Sequence, residues 1–297
     1  APVASTRAIA VVNSSGPPPP RPVAFSVTTP SERTVVIDGQ AVAVAPDGET
    51  IAFLGAPPPG ASGASQIYLR RLGQDQAVAV ADTVDAEGVL FSPDGAWLVY
   101  PRNADLWKAP VVGGPAIKLA PVSAGTRGVT WAAGDRLVLA PTWFGGLVTV
   151  PAAGGPLTPL TTLADDEKSH RFPLALPDGH TVLFVVSTST SDSFDDATIA
   201  AVDLRTGARR AVTTGGAPRF VPPATLVVPR AGRLVALPFD PRTATVTGPG
   251  REVIDDVVTA PATGAGLFDV RAGTLAYFVG GPDEFTTAIA RVDATGA

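Results

Sequence analysis

The chain repeats one strand–turn–strand corner at least three times, and this repetition restricts the fold more than any other feature. The segments VAVAPDGETIAF (42–53), VLFSPDGAWLVY (89–100) and LALPDGHTVLFV (174–185) each place a Pro-Asp-Gly turn between two apolar runs. Proline fixes φ at the first turn position, and glycine accepts the positive φ that other residues resist. We assign these turn residues a structural role: Pro46, Asp47, Gly48, Pro93, Asp94, Gly95, Pro177, Asp178 and Gly179.

The spacing of the corners predicts a β-propeller. Asp47 and Asp94 are 47 residues apart, and Asp178 follows 84 residues later, which is about twice the step expected for one blade. Each corner is followed by a third strand and a second turn, so the repeating unit has four short strands. Weaker corners of the same shape fill the remaining steps, at 129–140, 219–230 and 267–278.

We therefore predict an all-β fold, a six-bladed β-propeller of four-stranded blades. Residues 21–297 form the propeller, and residues 1–20 form a strand-like extension with a proline-rich linker. The sixth blade lacks its outermost strand, and the strand-like segment at 21–30 is expected to pair with it and close the ring. Two alternatives stay open for the extension: it is disordered, or it adds to a sheet edge.

Composition excludes several kinds of partner and chemistry. The net charge is -5 and Lys and Arg form no cluster, so we expect no nucleic-acid partner. The longest apolar runs are too short to cross a bilayer, and without cysteine there are no disulfides or Cys-ligated metals. Scarce Asn and Gln and absent Met are typical of heat-tolerant proteins, although a GC-rich genome would bias composition in a similar way.

The first residues bear on cellular location. Methionine is absent even at position 1, and APVAST suits the residues that follow a signal-peptidase site. We expect a processed bacterial protein that is secreted, periplasmic or on the cell surface. A fragment cut from a longer chain is the alternative.

At VAVAPDGETIAF and VLFSPDGAWLVY the sequence resembles the TolB-type, WD40-like (PD40) propellers. The stretches RPVAFSV, IYLRRL, VPAAGG and SHRFPLALPDG also resemble, in order, the extracytoplasmic propeller region of bacterial transmembrane serine/threonine kinases. The resemblance covers about residues 21–297 and implies a six-bladed propeller that binds proteins, peptides or small ligands. No kinase signature accompanies it, so only the propeller is carried over.

The residues offer little for catalysis or for metal binding. The histidines are His170 and His180, and no G-x-S-x-G elbow is present. We therefore predict no enzyme, no catalytic residue and no cofactor. Asp192, Asp195 and Asp196 share one loop that could hold Ca²⁺, but the EF-hand spacing is missing, and a solvated loop without metal is expected.

Binding residues are expected on one face of the ring. The loop face carries the connections between blades and between the second and third strands of a blade, whereas the turn face carries the Pro-Asp-Gly turns. Aromatic and Arg side chains on loops are the usual anchors of interfaces, although each could pack under its own loop instead. The candidates are Arg127, Trp143, Phe144, His170, Arg171, Phe194 and Phe285.

Two functions of different classes follow. The first is a non-catalytic extracytoplasmic module, of sensor or scaffold type, that binds a protein, peptide or ligand. The second is a self-assembling filament subunit that lends its N-terminal strand to a neighbouring copy. The self-association candidates for the second are Ala8, Ile9, Ala10, Val11 and Val12.

Overall fold

The computed structural model describes residues 39–57, 62–189 and 193–280, together with the paired positions 10–11, 23–24 and 34–35. This described part consists of twenty-eight short antiparallel strands, β1 to β28 in chain order, joined by turns and containing no helix. The inner strands of the blades read as continuous apolar runs because neighbouring blades cover both of their faces. The all-β prediction is confirmed.

Five blades have four or five strands each. Blade one contains β3 (Thr34–Val35), β4 (Val42–Val44), β5 (Thr50–Ala56), β6 (Gln66–Arg71) and β7 (Val78–Ala79). Blade two contains β8 (Leu90–Phe91), β9 (Trp97–Arg102), β10 (Asp105–Pro110) and β11 (Ile117–Pro121). Blade three contains β12 (Val129–Ala132), β13 (Arg136–Leu139), β14 (Val148–Pro151) and β15 (Thr158–Pro159). Blade four contains β16 (Glu167–Ala175), β17 (Thr181–Thr188), β18 (Thr198–Asp203) and β19 (Arg209–Thr214). Blade five contains β20 (Arg219–Val221), β21 (Thr225–Arg230), β22 (Arg233–Asp240), β23 (Thr245–Val246) and β24 (Arg251–Ile254).

The number of blades differs from the prediction. The sixth predicted corner forms a hairpin of β27 (Phe268–Arg271) and β28 (Thr274–Tyr277), preceded by a second small pair, β25 (Thr259–Ala260) and β26 (Ala265–Gly266). Within the described residues these pairs stay two-stranded, so the fold has five blades and not six. The residues expected to supply a third strand here, after position 280, lie outside the described part.

The N-terminal strands pair with each other. β1 (Ala10–Val11) and β2 (Val23–Ala24) form a two-stranded antiparallel ladder, with Ala10 opposite Ala24 and Val11 opposite Val23. Of the 21–30 segment that was predicted to close the ring, the structure describes only Val23 and Ala24, and these pair with β1. Ala8, Ile9 and Val12 of the self-association candidates lie outside the described residues.

The Pro-Asp-Gly corners show why the sequence turns where it does. In each one the Asp carboxylate accepts one or two backbone N–H groups just after the turn, and the Gly has a φ of 71° to 79°. Asp47 accepts from Glu49 at 2.8 Å and from Thr50 at 3.2 Å. These bonds stabilise the turn and so favour pairing of the flanking strands.

The hydrophobic core lies between blades. Phe53 of blade one, Tyr100 of blade two and Phe278 after the last hairpin belong to one buried cluster, and Phe53 stacks on Tyr68 with ring centroids 5.8 Å apart. Burying a side chain of this size stabilises the fold by about 1.5–3 kcal/mol. The blades therefore depend on each other's apolar faces for stability.

The last hairpin joins blade five to blade one. The Asp269 carboxylate of β27 accepts from Arg219 Nε through Oδ1 and from the Val44 backbone N–H through Oδ2, each at 2.7 Å. The Thr274 hydroxyl donates to the Gly48 carbonyl. Residues more than two hundred positions apart thus meet at this seam of the ring.

Candidate functional site

Four predicted binding residues meet on the loop face. Arg127 precedes β12, Trp143 lies between β13 and β14, Arg171 is in β16, and Phe194 precedes β18. They come from blades three and four, which are neighbours in the ring. We call these four residues, together with Phe144, the arginine–aromatic cluster.

Trp143 is held between a glycine and an arginine. The Arg127 guanidinium carbon lies 3.8 Å from the centroid of the Trp143 ring, a cation–π arrangement. Gly125 lies in the loop between β11 and β12. A Cβ placed on Gly125 would come within 1.4 Å of Trp143 Nε1, so only glycine leaves room for the ring. The indole is fixed in place and still 46% exposed.

Phe144 projects further into solvent than any other aromatic side chain of the cluster. It is 66% exposed, and Thr142 fixes its backbone, because the Thr142 hydroxyl accepts from Phe144 N–H and donates to the Phe144 carbonyl. The following residue is pinned as well, since Gly145 N–H donates to the Lys168 carbonyl and its own carbonyl accepts from His170 N–H. A rigid loop therefore presents two adjoining aromatic rings.

A β-bulge directs Arg171 into the cluster. Arg171 pairs with Val185 and Leu174 pairs with Leu183, so three residue steps on β16 match two on β17. Phe172, inside the bulge, has a φ of 49°, a left-handed conformation that is unfavourable for a bulky residue.

Packing keeps this bulge in place. The Phe172 backbone lies so close to Gly128 that a Cβ there would sit 2.9 Å from Phe172 Cα. The Phe172 N–H also donates to the Arg127 carbonyl at 2.7 Å, which ties the bulge to blade three. The strained segment is thus held by its neighbour rather than by its own sequence.

Neutral oxygens surround the Arg171 guanidinium. Nε donates to Ser169 Oγ at 2.7 Å, Nη1 to the Thr263 carbonyl at 3.1 Å, and Nη2 to the Trp143 carbonyl at 3.2 Å. The guanidinium carbon also lies 4.7 Å from the centroid of the Phe194 ring. Arg171 thereby connects blade four to the Trp143 loop and to the β25–β26 turn.

The cluster concentrates positive charge in a poorly solvated place. Arg127 is 3% exposed and Arg171 is 7% exposed. Burial, followed by repulsion from Arg127, lowers the pKa of Arg171 to about 10. The side chain remains a cation at neutral pH, so two positive charges lie beside two exposed aromatic rings.

His170 does not join the cluster. It faces the other side of β16, where its ring lies edge-on to Phe184 with centroids 4.7 Å apart. Leu147 N–H donates to Thr161 Oγ1, which lies 2.7 Å from His170 Nδ1, and Nε2 lies 3.0 Å from Glu167 Oε2. Burial lowers the pKa of His170, and the Glu167 carboxylate opposes this shift only in part. The neutral, fully buried ring ties blade three to blade four.

The other candidates lie elsewhere. His180 is partly exposed on the turn face, 3.4 Å from carboxylate oxygens of both Asp178 and Asp203. Asp195 accepts from the Ala231 N–H at 2.9 Å, whereas Asp192 and Phe285 lie outside the described residues. In the described segments no three His, Cys, Asp or Glu residues come together in a way that could hold a metal ion.

Sequence reasoning missed the residues that support the cluster. Ser169 and Thr263 orient the Arg171 guanidinium, Gly125 makes room for Trp143, and the left-handed Phe172 redirects the strand. The position of Ser169 two residues before Arg171 could have indicated a same-face contact on a strand. Nothing in the sequence pattern pointed to Thr263.

The chain matches no protein-family profile and no curated protein. Among solved structures, TolB from Acinetobacter baumannii superimposes with a TM-score of 0.55 at 17% identity, over 78% of this chain and 60% of that TolB chain. The protein has a TolB-like β-propeller fold. The chain therefore spans 60% of the length of that relative, and the predicted resemblance to TolB-type propellers is confirmed.

The same fold occurs in enzymes. An oligogalacturonate lyase in complex with manganese has a TM-score of 0.55 at 12% identity, over 98% of this chain and 97% of the lyase. The oligogalacturonate lyase of Vibrio parahaemolyticus has a TM-score of 0.51 at 13% identity, over 99% and 98% of the two chains. These neighbours contradict the prediction that the protein is no enzyme. At such low identity they show a shared fold, and no activity of this chain follows.

None of the described segments forms a helix with the length and apolarity that crossing a bilayer requires.

Proposed function

We propose that the protein is an extracytoplasmic binding module whose loop face takes a protein or peptide partner. The observation that carries this proposal is the exposure of Trp143 and Phe144 on a loop that is fixed by buried residues. Aromatic side chains have few rotatable bonds, so an interface built on them loses little conformational entropy. Trp, Tyr and Arg are also the residue types most enriched in binding hot spots.

The extracytoplasmic location is supported by the resemblance of RPVAFSV, IYLRRL, VPAAGG and SHRFPLALPDG to the extracytoplasmic propeller region of bacterial transmembrane serine/threonine kinases. The similarity to TolB supports the fold on which such a module is built.

A selection experiment tests the binding function. Random peptides displayed on phage are selected against the wild-type protein, and the affinity of each enriched peptide is measured by fluorescence anisotropy. The Trp143→Ala/Phe144→Ala double variant should lose at least about tenfold in affinity, because it removes the proposed hot spot.

The matched control is Val112→Ala. Val112 is 95% exposed, and it lies in the β10–β11 turn on the turn face. This variant removes exposed apolar surface away from the loop face and should bind like the wild type. The proposal is wrong when no peptide is enriched, or when all three proteins bind the enriched peptides equally.

The filament alternative stays a prediction with its own test. Ala10 pairs with Ala24 and Val11 with Val23 of the same chain, and exchange between copies would re-form this ladder between two chains. Light scattering and negative-stain microscopy with and without residues 1–20 separate the two cases. Filaments that disappear on truncation support exchange, whereas monomers in both samples exclude it.

A further inference from the structure

Arg171 is a buried cation without a counter-charge. It is 7% exposed, and no carboxylate in segments 39–57, 62–189 and 193–280 comes within ion-pair distance of it. Buried charges in proteins are normally paired, because desolvating a lone ion is costly. A ligand with a negative charge would offset this cost.

The guanidinium has donors left for a ligand. It carries five N–H groups, of which Ser169, Thr263 and Trp143 accept three. One N–H on each Nη nitrogen has no acceptor among the described residues. A carboxylate has two oxygens and can accept from both Nη nitrogens at once, and such bidentate pairs are common for arginine.

The fold also preorganises the Arg171 side chain for ligand binding. Its guanidinium is fixed by three hydrogen bonds and stacks on Phe194, so little side-chain entropy is lost when a ligand binds. The bulge and the left-handed Phe172 that aim it into the cluster are unfavourable locally. Strained segments of this kind concentrate at functional sites.

We infer that Arg171 binds a carboxylate of an acidic peptide whose neighbouring apolar side chain packs on Trp143 and Phe144. This inference rests on the proposed function and names the chemistry of its partner. The exposed Phe144 ring offers a protruding apolar surface, which suits a peptide side chain. An Asp or Glu side chain of the partner supplies the counter-charge that the described residues lack.

Paired peptide arrays test this inference. Random decapeptides with C-terminal amides are synthesised in two forms, one containing Asp and Glu and the other with Asn and Gln in their place. The wild-type protein should bind the acidic form of its preferred peptides at least about tenfold more tightly than the amide form, because a charge-assisted hydrogen bond is lost.

Variants locate the effect. Arg171→Gln should remove the difference between the two forms, and Arg171→Lys, which keeps the charge, should retain part of it. Arg205→Gln is the matched control, because Arg205 is an exposed arginine at the β18–β19 turn on the turn face, and it should behave like the wild type. Circular dichroism checks the fold of each variant, and the wild-type comparison decides even if Arg171→Gln does not fold.

The outcomes separate the inference from the function. If the wild type binds both peptide forms equally while still requiring Trp143 and Phe144, the carboxylate inference is wrong and the binding module stands. If no peptide of either form binds, the proposed function fails and the inference fails with it. Displacement of bound acidic peptide by free glucuronate at comparable affinity would point to an acidic sugar and also overturn the inference.

Discussion

The seam of the ring can be tested at Asp269. The Asp269 carboxylate accepts from Arg219 Nε and from the Val44 N–H at 2.7 Å each, and thereby joins β27 to both β20 and β4. Asp269→Ala removes both acceptors at once. The apolar contacts of the hairpin, including buried Phe268 and Leu275, are left in place. The variant therefore measures the contribution of these two hydrogen bonds to stability, apart from the apolar packing of the hairpin.

The expected loss follows from these two contacts. A buried donor left without an acceptor costs about 1–3 kcal/mol. The Arg219 and Asp269 side chains are 12% and 16% exposed, so water compensates only part of the loss, and we expect a decrease of about 3 kcal/mol in the free energy of unfolding. With an unfolding entropy of about 2.1 cal/mol/K per residue over 297 residues, this lowers Tm by about 5 °C.

Differential scanning calorimetry measures the shift. The control is Glu252→Ala, which removes an ion pair with Arg233 whose side chains are 60% and 52% exposed. Exposed pairs of this kind contribute little, so its Tm should change by no more than about 1 °C. A Tm of Asp269→Ala within the range of the control would refute the argument that this carboxylate secures the ring.

Two further predictions concern buried contacts of blades three and four. Because the pKa of His170 is lowered in the folded state, the unfolded chain binds the proton first, and stability should fall as the pH drops below about 6.5. Tm measured at pH 7.5 and 5.5 should show a smaller drop for His170→Gln than for the wild type. An unchanged drop in His170→Gln would contradict the assignment. Gly146→Ala should lower Tm strongly, because the added Cβ would lie 1.9 Å from the Thr161 carbonyl oxygen. The control is Gly248→Ala, whose Cβ would have its nearest contact at 3.5 Å and should leave Tm unchanged. Equal Tm values for the two variants would count against this close approach at Gly146.

Corners were predictable from the sequence because their determinants are local. All six predicted corners are antiparallel hairpins, including the weak ones at 129–140 and 267–278. The Asp carboxylate accepts from backbone N–H groups two or three residues later, and the Gly adopts a positive φ. Both effects act within four residues, so the sequence pattern of the turn predicts them. The number of strands that join each corner depends on pairing between distant segments, and there the prediction of six complete blades was wrong.

The candidate site shows the same division. The sequence places Arg127, Trp143 and Arg171 on loops or strand ends of one face, which follows from the order of strands in a blade. The sequence analysis predicts both His170 and Arg171 as binding residues, although neighbouring side chains of a strand point to opposite faces. The structure puts His170 into the interface between blades three and four and Arg171 into the arginine–aromatic cluster.

The sequence by itself therefore determined the all-β propeller, its repeating turns and the face that carries the aromatic loops. The tertiary structure alone decided the seam and the surroundings of Arg171. Asp269 meets Val44 across 225 positions, and Arg171 meets Thr263 across 92. Such contacts arise only when the ring closes, because they depend on the relative placement of blades and not on the local preferences of any residue.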